Sequence, residues 1–202
     1  KGKTDGSGIK VTTYNITYCT TGMYQNALAT AGIEDAEIVV AGPYNISGTA
    51  ALVGAIKSYE NMTGETVSQE NVDTATNELV VTGKLAESVG DSDKAEQLVG
   101  AVKEQVVEGS DNGKKLTEEE IGNVVDQAAQ EMDVQLSDED RQEIVDLMDK
   151  IKGLDIDVDS LKEQAKDLYD KIDDLGLKLD WNQEKVQGFF SKIIEFFKNL
   201  FS

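Results

Sequence analysis

The stretch IKVTTYNITYCTTGMYQNALATAGIEDAEIVVAGPYNISGTAALVGAIKSYENM, residues 9–62, switches between strand and helix periodicity, and those switches decide the fold class. Residues 9–18 are β-branched and aromatic, which predicts a strand. Thr20 or Thr21 then caps a short helix over residues 22–31, and Gly32 stops it. Ala36 to Ala41 reads as a second strand, ended by Gly42 and by Pro43, the only proline of the chain. Ser47 and Thr49 can cap the next helix. Its Ala50, Leu52, Val53, Ala55 and Ile56 make it apolar nearly all round, which predicts the most buried helix of the molecule. The β-α-β-α order predicts a small α/β layer over residues 1–64. Two strands make a poor sheet, so further strands are expected upstream of Lys1.

From Gly64 onward the pattern is helical and aromatics nearly vanish until the end of the chain. Val67 and Ser68 open a helix predicted to run to about Val81. Ser92 or Asp93 opens another, with Leu98, Val99, Val102 and Val106 on one face. Gly109 to Lys115, GSDNGKK, reads as a polar loop. Thr117 and Glu120 form a capping box ahead of Ile121, Val124, Val125, Ala128 and Met132. Ser137 precedes Ile144, Leu147, Met148 and Ile151. The Leu116 and Leu136 segments look like a degenerate repeat that forms a helical hairpin, although any two capped amphipathic helices share that look. Ser160 and Glu163 make a further capping box, for a helix that Gly176 ends. Residues 65–180 are therefore expected as a helical bundle. Residues 181–202, WNQEKVQGFFSKIIEFFKNLFS, form an amphipathic helix that holds the only tryptophan and all five phenylalanines. Its apolar face is expected to pack on the core, with a membrane surface and a partner protein as the alternatives. The predicted class is α+β, mainly helical.

Composition excludes several chemistries. The net charge is −20, from 39 acidic against 19 basic residues, and Arg141 is the only arginine. Phosphate-backbone binding needs clustered Lys and Arg, so nucleic acid is not an expected partner. With no histidine in the chain, Ser-His-Asp and Cys-His machinery and imidazole metal sites cannot be built. Cys19 is alone, so it forms neither an internal disulfide nor a thiolate zinc cluster, and is expected as a small buried hydrophobe. No stretch approaches the roughly 20 apolar residues of a membrane span. No signal peptide is seen, and a start at KGKTDGSG without Met is expected of a processed or trimmed protein.

The motifs that look like known sites depart from them at decisive positions. Gly109 to Lys115 is one residue short of a phosphate-binding loop and has Lys where Ser or Thr would hold Mg²⁺. Gly2-Lys3-Thr4 is followed by DGSG instead of a helix. Asp155, Asp157 and Asp159 have the spacing that opens a Ca²⁺ loop, but Ser160 replaces the turn glycine and Lys166 the bidentate Glu. Leu154, Ile156 and Val158 are then expected to pack while the acids face water. Asn15, Asn45 and Asn61 begin N-x-S/T sequons, which matter only in a eukaryotic secretory host. Catalytic, cofactor-binding and metal-ligating residues are predicted as none, and the residues of partner or membrane contact are unknown at this level.

GSGIKVTTYNIT, residues 6–17, and MYQNALATAGIEDAEIVVAGPYNISGTAALVGAIKSYE, residues 23–60, resemble the YpuA-like family of secreted Gram-positive bacterial proteins, a domain of unknown function. Met23-Tyr24 with Asn26-Ala27-Leu28, Ala31-Gly32 and Ser47 to Leu52 carry the resemblance. It continues more loosely through Asn77 to Val80, Asp126 to Ala129, Asp155 to Asp157 and the aromatic terminal helix. The resemblance implies a signal peptide and a further α/β stretch upstream, and an extracellular or cell-surface location. It supplies no catalytic residues.

The expected function is a secreted, non-enzymatic protein-binding module. Helical proteins secreted by gut Firmicutes include superantigens, which makes a host immunoglobulin variable region the most specific expectation for the partner. The alternative is a cell-envelope protein whose terminal helix, flanked by Lys185, Lys192 and Lys198, contacts membrane or wall. An enzyme ranks third, because carboxylates, Lys, Ser and Cys19 are the remaining candidates.

Overall fold

The two β-branched runs form strands β1 (Ile9–Ile16) and β2 (Ala36–Ile46), paired in parallel with Ile9 opposite Ala36 and Tyr14 opposite Ala41. This is a computed structural model that describes residues 6–111, 115–157 and 161. A parallel pair needs a crossover, and helix α1 (Thr21–Thr30) supplies it. The Thr20 side chain caps α1 by accepting the Met23 N–H, as its residue type predicts. Gly32 ends it at φ +80°.

Strand β2 runs on through Gly42 and Pro43, where a stop was expected. The ladder passes from Tyr14–Ala41 to Ile16–Ile46, so Pro43 falls in an irregular stretch that asks for no N–H from it. Asn15, opposite, stands at φ +57° and donates its side-chain amide to the Gly42 carbonyl at 2.9 Å.

The expectation about the most buried helix is corrected. Helix α2 (Ala51–Thr63) buries only Leu52 and Ile56, and Met62 is 57% exposed. It starts after Ala50, without a side-chain cap from Ser47 or Thr49. The buried helix is α1, where all residues from Gly22 to Thr30 are buried. Helix α1 has β1 against it and also contacts α2, α3 (Gln69–Val89) and α4 (Ser92–Asp111), so its polar positions are covered as thoroughly as its apolar ones. Only the Leu52 and Ile56 side of α2 meets neighbours, so Val53 and Met62 stay in solvent and its Ala and Gly positions have little surface to hide.

Helix α3 is two turns longer than the expected end near Val81. It runs on through Gly83, where the Tyr18 ring occupies the place of a side chain and a Cβ would stand 2.5 Å from Tyr18 Cζ. Asp91 caps α4 by accepting the Lys94 N–H at 3.0 Å. Leu98, Val99, Val102 and Val106 are all fully buried, as their spacing predicts. Helix α4 also absorbs Gly109, Ser110 and Asp111, which read as loop.

Helices α5 (Glu118–Glu131) and α6 (Asp138–Ile151) carry complete capping boxes, Thr117 with Glu120 and Ser137 with Asp140. They pack against each other, and Arg141 forks onto Asp126 at 2.6 and 2.8 Å. Among the described residues there are six helices and one two-stranded sheet, a mainly helical α+β fold. The Ser160–Glu163 capping box and the aromatic helix at 181–202 lie outside the described residues.

Candidate functional site

Three helices meet around a sealed polar cluster. Lys103 on α4 is 2% exposed, and Glu78 on α3 is fully buried. The Lys103 ammonium donates to Glu78 Oε1 at 2.8 Å, to the Asn26 carbonyl at 2.8 Å and to Thr30 Oγ1 at 3.2 Å. The Thr30 hydroxyl in turn donates to the other Glu78 oxygen. All three ammonium donors are used, so the cluster ties α1, α3 and α4 together and offers no proton to a substrate.

A second buried carboxyl, Glu96, is 4% exposed at the start of α4. It accepts a hydrogen bond from Thr20, the cap of α1. Burial pushes its carboxyl up to about 7, against the Thr20 hydrogen bond and with help from Asp93 and Asp91. Asn26 donates to the Glu96 carbonyl at 3.1 Å and locks the same junction.

Cys19 is buried, as expected, and burial raises its thiol above the ordinary range while a hydrogen bond with Tyr24 opposes that rise. A thiol held protonated in this way is a poor nucleophile. The Tyr24 hydroxyl, raised by burial and by Cys19, donates to the Gly48 carbonyl. Gly48 stands at φ +90°, and a Cβ there would be 2.6 Å from Ile16 Cγ2. Tyr24, Asn26 and Gly48 all belong to the segments that carry the family resemblance, and all three hold the α/β layer to itself or to α4.

The accessible feature lies on the sheet. Among the described residues the sheet has two strands, so no third strand pairs with the outer edge of β2. The Ala36 N–H donates to the Gly8 carbonyl. With that anchor and the register, the alternation of a parallel ladder turns Ile38 and Val40 toward β1 and turns the backbone groups of Val39 and Ala41 outward. A groove of about 430 Å³ runs beside this edge. Every residue from Ala36 to Ala41 lines it, so it follows the strand edge and not one pleat face. The opposite wall is the Ala51, Gly54, Ala55, Ser58, Tyr59 and Met62 side of α2. Small side chains at helical spacing leave the space. Tyr59, half-buried, donates to Glu65 at 2.6 Å; burial first, then that bond, pushes its hydroxyl to about 12.

One face of the sheet is also bare. Lys10, Thr12, Tyr14, Glu37, Val39 and Ala41 are exposed, with Tyr14 at 58% and Val39 at 62%. Parallel sheets are ordinarily covered on both faces.

Fold and site together define a helical α+β domain with a part-covered parallel sheet at one end. The chain belongs to the family described as protein of unknown function DUF1002, which it matches over residues 1–168. It is similar to the Uncharacterized protein YpuA of Bacillus subtilis (strain 168), at 39% identity over 159 residues, which is 79% of this chain and 53% of that protein. The chain thus spans about half the length of the curated relative it matches. No solved structure matches it significantly.

The residues singled out from sequence fare unevenly. Asp155 and Asp157 are exposed beside buried Ile156, and Asp159 lies outside the described residues. Asn15, Asn45 and Asn61 are all exposed. No helix among the described residues is long and apolar enough to cross a membrane. Sequence reading missed the Glu78–Lys103 pair and the β2 edge. The pair had a signal: Glu78 interrupts the Ala75, Leu79, Thr82 stripe, and Lys103 follows directly on Val102 of the buried Leu98, Val99, Val102, Val106 face. The edge had none, because an unpaired strand reads like a paired one.

Proposed function

We propose that this domain is a non-enzymatic, protein-binding module of the bacterial cell exterior that takes an extended polypeptide segment along the β2 edge. The observation that carries the reading is the groove between the outward backbone of Val39 and Ala41 and the small-residue side of α2. An extended chain laid there gains main-chain hydrogen bonds from the edge and a slot for alternate side chains. The buried ionisable groups favour binding over catalysis, since Glu78, Lys103 and Glu96 hold helices together. The exterior setting rests on the family resemblance. A host immunoglobulin variable region is the first partner to try, being a sandwich with edge strands of its own. The envelope reading depends on residues 181–202, outside the described residues, and no observation favours it.

The test is Val39→Pro, which deletes an outward N–H and leaves the inward ladder of Ile38 and Val40 intact. Its binding to host immunoglobulin should fall at least about tenfold with an unchanged melting temperature. Immunoglobulin binding that survives the substitution would overturn the edge reading. Absence of binding by the unsubstituted chain would remove this partner.

A further inference from the structure

The bare side of the sheet has a shape that can be matched to an occupant. Among the described residues it combines the β2 edge of a two-stranded parallel sheet, with no third strand on it, and an exposed face carrying Tyr14 and Val39. Parallel sheets occur with both faces covered, and two strands do not make an independently stable sheet. Among the described residues the sheet therefore lacks at least one further strand, for which the groove beside β2 leaves room, and a layer over the exposed face. The Bacillus relative has chain to supply both, because the matched residues are 53% of it.

We infer that the β2 edge and the bare face form the seam onto which the other half of the longer family proteins folds, with one of its strands entering the groove against α2. The inference rests on the proposal that this edge accepts a strand, and it names the source. The edge sets the pairing: Val39 and Ala41 each offer an N–H and a C=O, and Ala36 to Ala41 span about 20 Å, the length of an ordinary six-residue strand. Side chains of the entering strand that point at α2 meet Ala51, Gly54, Ala55 and Ser58 and have room to be large. At the Tyr59 end Glu65 is hydrogen-bonded to the phenol, with Glu34 and Asp35 close enough to act on it. That end favours a Lys or Arg on the entering strand.

The experiment uses the part of the Bacillus relative outside the matched residues, expressed as a separate polypeptide and added to this chain. Amide exchange is read at Val39 and Ala41, with Ile38 and Val40 as internal references. Both outward amides should slow by at least about tenfold while the references stay as they were. The intact relative provides a second measurement that does not depend on the added piece folding alone. There the amides aligned with Val39 and Ala41 should be as protected as their inward neighbours. Fast exchange at those positions in the intact relative would overturn the inference. Protection that appears only as this chain self-associates, or only with immunoglobulin, would overturn this source and leave strand acceptance standing. Outward amides that no partner slows would overturn both.

Discussion

Lys103 joins three helices at one point, because its ammonium reaches α1 and α3 from α4. A fully buried pair is a poor guide to net stability, but removing one partner strands the other charge in the core. Lys103→Met should therefore cost about 3–5 kcal/mol in chemical denaturation. The double variant Glu78→Leu with Lys103→Met should be less damaging than the sum of its parts, since no charge is then left alone. Equal or greater loss in the double variant would contradict this account of the cluster. Glu96 makes a prediction of the opposite kind, in pH. Its carboxyl is raised from an ordinary 4.5 to about 7, so folding favours the protonated form. The stabilising contribution is complete below pH 4.5, declines as pH rises between 4.5 and 7, and is gone above about 7. The difference corresponds to about 3 kcal/mol at most. Glu96→Gln should lose this slope and match or exceed the unsubstituted protein at pH 8, measured as denaturation midpoints against pH.

Helices α5 and α6 are the elements the sequence specifies most completely. Ser or Thr followed three residues on by an acid is a local arrangement, and both boxes close as their spacing demands. Thr117→Ala and Ser137→Ala should each cost about 1 kcal/mol. A change below a few tenths in both would show that the boxes contribute nothing. Elsewhere the boundaries were set by distant residues and could not be read locally. Gly83 looks like a break until Tyr18 is seen lying on it, and Gly109 looks like loop until Leu116 is seen packed against it. Pro43 ends a strand on propensity, yet the irregular pairing around it lets β2 continue. The ranking of burial failed for a related reason: the apolar pattern of α2 was visible, but not that neighbours would enclose the polar side of α1 instead. At the turn into α2, Gly48 unites both kinds of constraint, a φ of +90° and the Tyr24 and Ile16 side chains at the place of a Cβ. Gly48→Ala should cost more than about 2 kcal/mol, read from a thermal melt, although alanine is chemically the smallest step available.

At the scale of the molecule, the well-tied helices contrast with the sheet they support. Helix α4 is buried without interruption from residue 95 to residue 107, while among the described residues the sheet has one exposed face and no third strand beside β2. A fold class of mainly helical α+β was legible from periodicity alone. What could not be read was which backbone groups of β2 face outward and what stands beside them, since that depends on the register of β1 with β2 and on where α2 lies. The open edge is the central claim, and amide hydrogen exchange on this chain alone tests it most directly. The account predicts alternation along β2, with slow exchange at Ile38 and Val40 and exchange faster by at least about a hundredfold at Val39 and Ala41. Uniform protection from Ile38 to Ala41 would contradict it.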